Sequence, residues 1–85
     1  MKTNYIFHSD PSHGWLAVKR AELIRLGILE KISCCSYQKG DTVYLEEDDD
    51  ASIFIDAKKN AGEVLNHRES HLENIPIRNY PSFSC

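Results

Sequence analysis

The sequence predicts a small α+β protein: a largely antiparallel sheet with two helices on one face, in the order β-β-α-β-β-α-β. Three observations predict it. Short β-branched and aromatic runs, such as Asn4 to His8 and Thr42 to Glu46, are punctuated by Pro, Gly and Asp, as in hairpins. Two other stretches space their apolar residues by three and four, the period of a helix packed on one side. The chain has 85 residues, enough for one core and little more, because a chain of this size buries only about 60–65% of its unfolded surface.

Each element has a local reason. Asn4-Tyr-Ile-Phe-His8 is an aromatic, β-branched strand. Asp10-Pro-Ser-His-Gly14 is turn chemistry: proline presets φ, the Asp10 carboxylate accepts bonds from nearby amides, and glycine tolerates positive φ. Trp15 to Val18 reads as the returning strand. From Lys19 the period changes, and Ala21, Leu23, Ile24, Leu26 and Ile28 fit an amphipathic helix closed by Gly27. Lys31 to Gln38 and Thr42 to Glu46 form a second hairpin about Gly40-Asp41, with Val43 and Leu45 alternating toward the core. The better helix starts in the acidic run, where Asp48, Asp49 or Asp50 caps free amides. Its apolar face is Ile53, Phe54, Ala57 and Ala61, with Lys58 and Lys59 near the end and Gly62 as the stop. Glu63 to His67 reads as a short final strand. The domain spans residues 3–73. Residues 74–85, with Pro76 and Pro81, cannot be helical; their spaced Ile75, Ile77, Tyr80 and Phe83 suggest a strap, lying on the domain or ordering against a partner.

Composition narrows the function classes. With 41% hydrophobic and 27% charged residues, this is ordinary globular material. The net charge is -3, and the basic excess of a protein that wraps nucleic acid is absent. Three cysteines, an odd number, argue against a secreted disulfide scaffold. No secretory leader is read at the start and no apolar run approaches the length of a membrane span. A reduced, cytoplasmic protein with no membrane role is expected.

Three sets of residues could carry a function. The acids Glu46, Glu47, Asp48, Asp49 and Asp50, together with Trp15 and Tyr44 as exposed aromatics, would form a partner-binding surface, because aromatics supply contact area and acids steer toward a basic partner. Lys19, Arg20 and Arg25 would contact phosphates if the chain were a small DNA-binding regulator. His8, Asp10 and His13 would converge on a metal such as zinc, with His67 and His71 as further nitrogens. Cys34 and Cys35 lie in no recognised nucleophile motif, and no phosphate-cradling glycine loop or hydrolase elbow occurs. A non-enzymatic protein without a cofactor is the expectation. An exposed sheet edge or the tail could also support a homodimer.

Two resemblances bear on this. "VKRAELIRLGI" followed by "KGDTVYLEED" is similar to the swapped-hairpin antitoxin and transition-state regulators that bind DNA, although here a strand, Ile32 to Gln38, intervenes. "YIFHSDPSHGWLAV", "AELIRLGI", "SYQKGDTVYLEEDDDASIFIDA" and "PIRNYPSF" together resemble a group of small, uncharacterised proteins of bacterial phages and mobile elements. That resemblance implies an accessory protein in the cytoplasm of a bacterial host, one that binds and blocks or modulates a host complex, as anti-CRISPR and other anti-defence inhibitors do.

Overall fold

The Asp10 turn joins β1 (Asn4–Ser9) to β2 (Gly14–Lys19) as an antiparallel hairpin, pairing Phe7 with Leu16 and His8 with Trp15. The computed structural model that shows this describes residues 4–33, 36–47, 49–63, 66–71 and 76–83. Next come α1 (Arg20–Arg25), a 3₁₀ turn at Leu29–Lys31, β3 (Tyr37–Lys39), β4 (Thr42–Glu46), α2 (Asp50–Asn60), β5 (Asn66–His71) and a second 3₁₀ turn at Pro76–Asn79. The α+β class and the order of strands and helices are those the sequence predicts. Neither helix is long and apolar enough to cross a membrane.

The strands form one five-stranded sheet in the order β3-β4-β2-β1-β5. It is mixed, which the expected antiparallel arrangement missed: β5 pairs with β1 in parallel, Tyr5 opposite His67 and Phe7 opposite Glu69. The reason is directional. A strand that follows a crossover helix runs the same way as the strand before it, and β4 and β1 both run against β2.

Alternation divides the sheet into two faces. Leu16 and Val18 of β2 and Val43 and Leu45 of β4 meet Leu23 of α1 and Phe54 of α2 in the main core, so both helices cover one face. Trp15 points the other way, into a second cluster with Ile77, Tyr37, Tyr44 and Tyr80. The C-terminal strap covers that side; it is not wholly extended as foreseen, since Pro76–Asn79 make a 3₁₀ turn with proline at its first position, where no amide is needed. The Gln38 amide donates to the Pro81 carbonyl at 2.9 Å and the Phe83 amide to the Ser36 carbonyl at 2.8 Å. Ser82 bridges to Tyr37, and Phe83 returns into the main core. The strap therefore docks on its own domain.

Other expectations change in detail. Of the strand foreseen over Lys31 to Gln38, Tyr37 and Gln38 lie in β3 and Lys31 in a 3₁₀ turn, while Asp50 holds Ser33 and Ser36 to α2: its Oδ2 accepts from the Ser33 amide (3.0 Å), the Ser33 hydroxyl (2.8 Å) and the Ser36 hydroxyl. Cys34 and Cys35 lie outside the described residues. The final strand begins at Asn66 instead of Glu63, because Glu63 closes α2, its amide donating to the Lys58 carbonyl. The buried face of α2 is Asp50, Ala51, Phe54 and Lys58. Of the foreseen face, Phe54 is buried and Ile53 and Ala57 pack half-buried against the main core, while Ala61 is exposed; Ile53, Ala57 and Ala61 also line a groove toward Leu26 and Ile28.

Candidate functional site

The opening turn is built by Asp10. Its Oδ1 accepts from the amides of Ser12 (2.8 Å) and His13 (2.7 Å), and its own amide donates to the His13 carbonyl. This is the amide-accepting role read from the sequence. It aims the carboxylate into its own loop, while His8 packs against Tyr44 and His13 against Trp15. His71 takes the Ser9 hydroxyl as partner at 3.0 Å. Among the described residues no three His, Cys, Asp or Glu side chains gather where they could hold a metal ion. The convergence of His8, Asp10 and His13 is thus replaced by one turn bond set and two ring contacts.

The helix-free face carries an aromatic cluster. Tyr80 of the strap lies 5.3 Å from Tyr44, His8 lies 5.8 Å from Tyr44 on the other side, and Tyr37 lies 6.1 Å from Trp15. Such separations suit edge-on and tilted ring contacts. Trp15, foreseen as exposed, is 2% exposed beneath this layer; Ile77 and the tyrosines exclude water from it. Tyr44 is half-buried, and burial with the neighbouring Tyr80 pushes its hydroxyl pKa up. Burial also pulls the His8 imidazole below its usual value, favouring the neutral ring. Lys39 places its ammonium 4.8 Å over the Tyr80 ring, a cation–π contact.

The acidic run splits by role. Glu46 shares the aromatic face with Trp15, its partner across the sheet, and its Oε2 accepts the Asp49 amide at 3.2 Å. Glu47 and Asp49 are exposed. Asp50, foreseen as part of the exposed surface, is 1% exposed and spent on Ser33 and Ser36. Asp48 lies outside the described residues. Asp49 occupies the N-cap but makes no side-chain cap bond, since its backbone is helical (φ -114, ψ -58) where a capping side chain needs extended geometry.

The three cations do not form a patch for phosphate. Lys19 is exposed at the end of β2. Arg20 donates to Gln38 at 2.8 Å and sits 5.3 Å over the Phe83 ring. Arg25 is clamped between Glu22 (2.6 Å) and Glu63 (2.7 Å).

No protein-family model, curated protein or solved structure matches the chain. The site is read from its own chemistry.

One constellation escaped sequence reasoning. Lys58, buried at 3% exposure, reaches Glu63 at 2.8 Å and Glu22 at 3.7 Å, with its ammonium 5.4 Å over the Tyr5 ring. The Tyr5 hydroxyl donates to Glu22 at 2.9 Å. The paired cations Arg25 and Lys58 hold the Glu63 carboxyl down at about 2. Burial opposes the charge of Lys58, but the bonds to Glu63 and Tyr5 outweigh it and its pKa ends raised. Every charge here has a partner of opposite sign, so the network joins α1 to the end of α2. A signal existed: Lys58 follows Phe54 by four residues, on the buried stripe.

Proposed function

We propose that the protein is a non-enzymatic binding protein that docks on a partner with a basic surface, an accessory factor that blocks or redirects a bacterial host complex in the manner of anti-defence inhibitors. One observation carries this reading: the half-buried tyrosines Tyr44 and Tyr80 pack together on the helix-free face, with Glu46 on that face and the exposed Asp49 bonded through its amide to Glu46. Rigid aromatics over a buried Trp15 offer contact area at little entropic cost, and acids beside them speed and orient encounter with a cationic surface. The contact set is therefore Tyr44, Tyr80, Glu46 and Asp49; Glu47, foreseen as part of it, turns to the helix-bearing face beside Phe7 and Ile55. Trp15 and Asp50 support it from within.

The test compares proteins retained from a bacterial lysate by the wild type, by Tyr80→Ala and by the double variant Glu46→Gln, Asp49→Asn. A partner identified by mass spectrometry should then be titrated directly. Its affinity should fall about tenfold with the double variant at low salt, and the gap should narrow as salt screens the charges. Equal affinity for all three proteins, each folded by circular dichroism, sinks the reading.

A further inference from the structure

A second feature lies on the opposite, helix-bearing face, where the sheet's outermost strand meets α2. Here Phe7 of β1, Leu16 of β2 and Ala51 and Ile55 of α2 form the apolar floor of a cleft of about 260 Å³, and His67 and Glu69 of β5 and Glu47 complete its walls. Among the described residues that line it, none is lysine or arginine. The cleft is smaller than the roughly 300–1,000 Å³ that encloses a whole small ligand, which favours a single side chain delivered by a larger partner. Its chemistry selects which one. A lysine or arginine lays an aliphatic stem along apolar surface and keeps its charge at the rim, and two carboxylates stand at this rim.

The strand beside the cleft suits delivery of such a side chain. β5 is the last in the order β3-β4-β2-β1-β5, and among the described residues only β1 pairs with it. Its residues Asn66 to Glu69 and His71 are exposed. An extended segment laid along an open strand gains main-chain hydrogen bonds, while alternate side chains enter pockets on one face. The larger groove between α1 and α2, about 610 Å³, lacks a matching argument: Arg25 and Lys31 stand there with Asp56, so its rim selects no sign of charge.

We infer that the β5 edge and the Phe7–Ile55 cleft together receive an extended basic segment of the partner protein, with one lysine or arginine inserted between Glu47 and Glu69. The inference rests on the docking reading above and adds the chemistry of the partner's contact. The segment adds a sixth strand to the sheet. Its cation replaces bulk water at the rim with two carboxylates, and its stem covers Phe7 and Ile55.

The experiment uses a short fluorescein-labelled peptide alternating lysine and valine, titrated by anisotropy at low salt, with a glutamate-and-valine peptide as control. The lysine peptide should bind and the glutamate peptide should not, with slowed amide hydrogen exchange in residues 66–71. Glu69→Gln, an exposed change, should weaken binding about three- to tenfold. Ile55→Lys should abolish it by placing a like charge in the cleft. Tyr80→Ala, on the opposite face, should leave it unchanged. Absence of binding overturns the inference, as does binding indifferent to both cleft variants. Hexylamine binding as tightly as the peptide would assign the cleft to a small amine, and a concentration-dependent dimer without peptide binding would assign the edge to a second copy; either result overturns it. Loss of a lysate partner with Tyr80→Ala but not with Glu69→Gln leaves the docking reading standing while this inference falls.

Discussion

Gly14 faces the Phe7 ring so closely that a Cβ added there would collide with its edge carbons. It is a buried strand residue whose carbonyl accepts the Glu47 amide at 3.1 Å, whereas the sequence suggested a turn position where glycine's tolerance of positive φ is used. Positive φ occurs among the described residues at Gly27, Gly40 and Gly62. Gly14→Ala should therefore act by overpacking, costing about 1–3 kcal/mol in urea denaturation. Trimming the ring with Phe7→Leu in the same chain should recover part of that loss. If the double variant is no better than the sum of the two single changes, the collision is not the cause. Asp10 was legible because its bonds reach only two and three residues ahead. Trp15 was not: its cover, Ile77, arrives from the far end of the sequence, and an apolar residue beside a polar turn carries no mark of which distant segment lies over it.

The two helices stop by the same backbone device with different side chains. In each, the residue after the C-cap is a glycine with positive φ, Gly27 (φ 70) or Gly62 (φ 72). In each, the next amide reaches back five residues, Ile28 to the Leu23 carbonyl and Glu63 to the Lys58 carbonyl. That motif sets those two side chains against each other. At α1 they are Leu23 and Ile28, both in the core; at α2 they are Lys58 and Glu63, an ion pair. Gly27 and Gly62 were readable as stops, but the ionic version of the contact was not, since lysine near a helix end already has an explanation in the dipole. A pH dependence follows. The Glu63 carboxyl, ordinarily near 4.5, is held at about 2 in the folded chain, so below 4.5 the unfolded chain binds protons that the folded chain refuses. Its contribution is present above 4.5 and is lost as pH falls toward 2. Glu63→Gln should lower the melting temperature at neutral pH and flatten the acid limb of the stability curve. An acid limb as steep as that of the wild type would place the loss elsewhere.

Across the whole molecule, the strap and the parallel pair decide the architecture. Ending the chain at residue 75 should remove Ile77, Tyr80 and Phe83 together, uncovering Trp15 on one face and opening the main core on the other. The single tryptophan should then fluoresce at longer wavelength and the unfolding midpoint should drop sharply. An unshifted spectrum would mean that the strap does not shield the ring. The class and order of elements were legible because strands and helices announce themselves by period, and the hairpins because their turns are local. The parallel neighbour of β1 was hidden, since a strand reading Asn-His-Arg-Glu-Ser-His has no apolar alternation to declare it. That pairing has a kinetic corollary. Ser9 and His71, joined at the end of the β1–β5 ladder, stand 62 residues apart in the chain. During translation the first hairpin emerges long before its last neighbour exists, so one flank stays open to solvent and to chaperones until synthesis is nearly past β5. Non-local closure of this kind slows folding relative to hairpin formation, and the nascent polypeptide passes through an interval in which its earliest strand is half-paired.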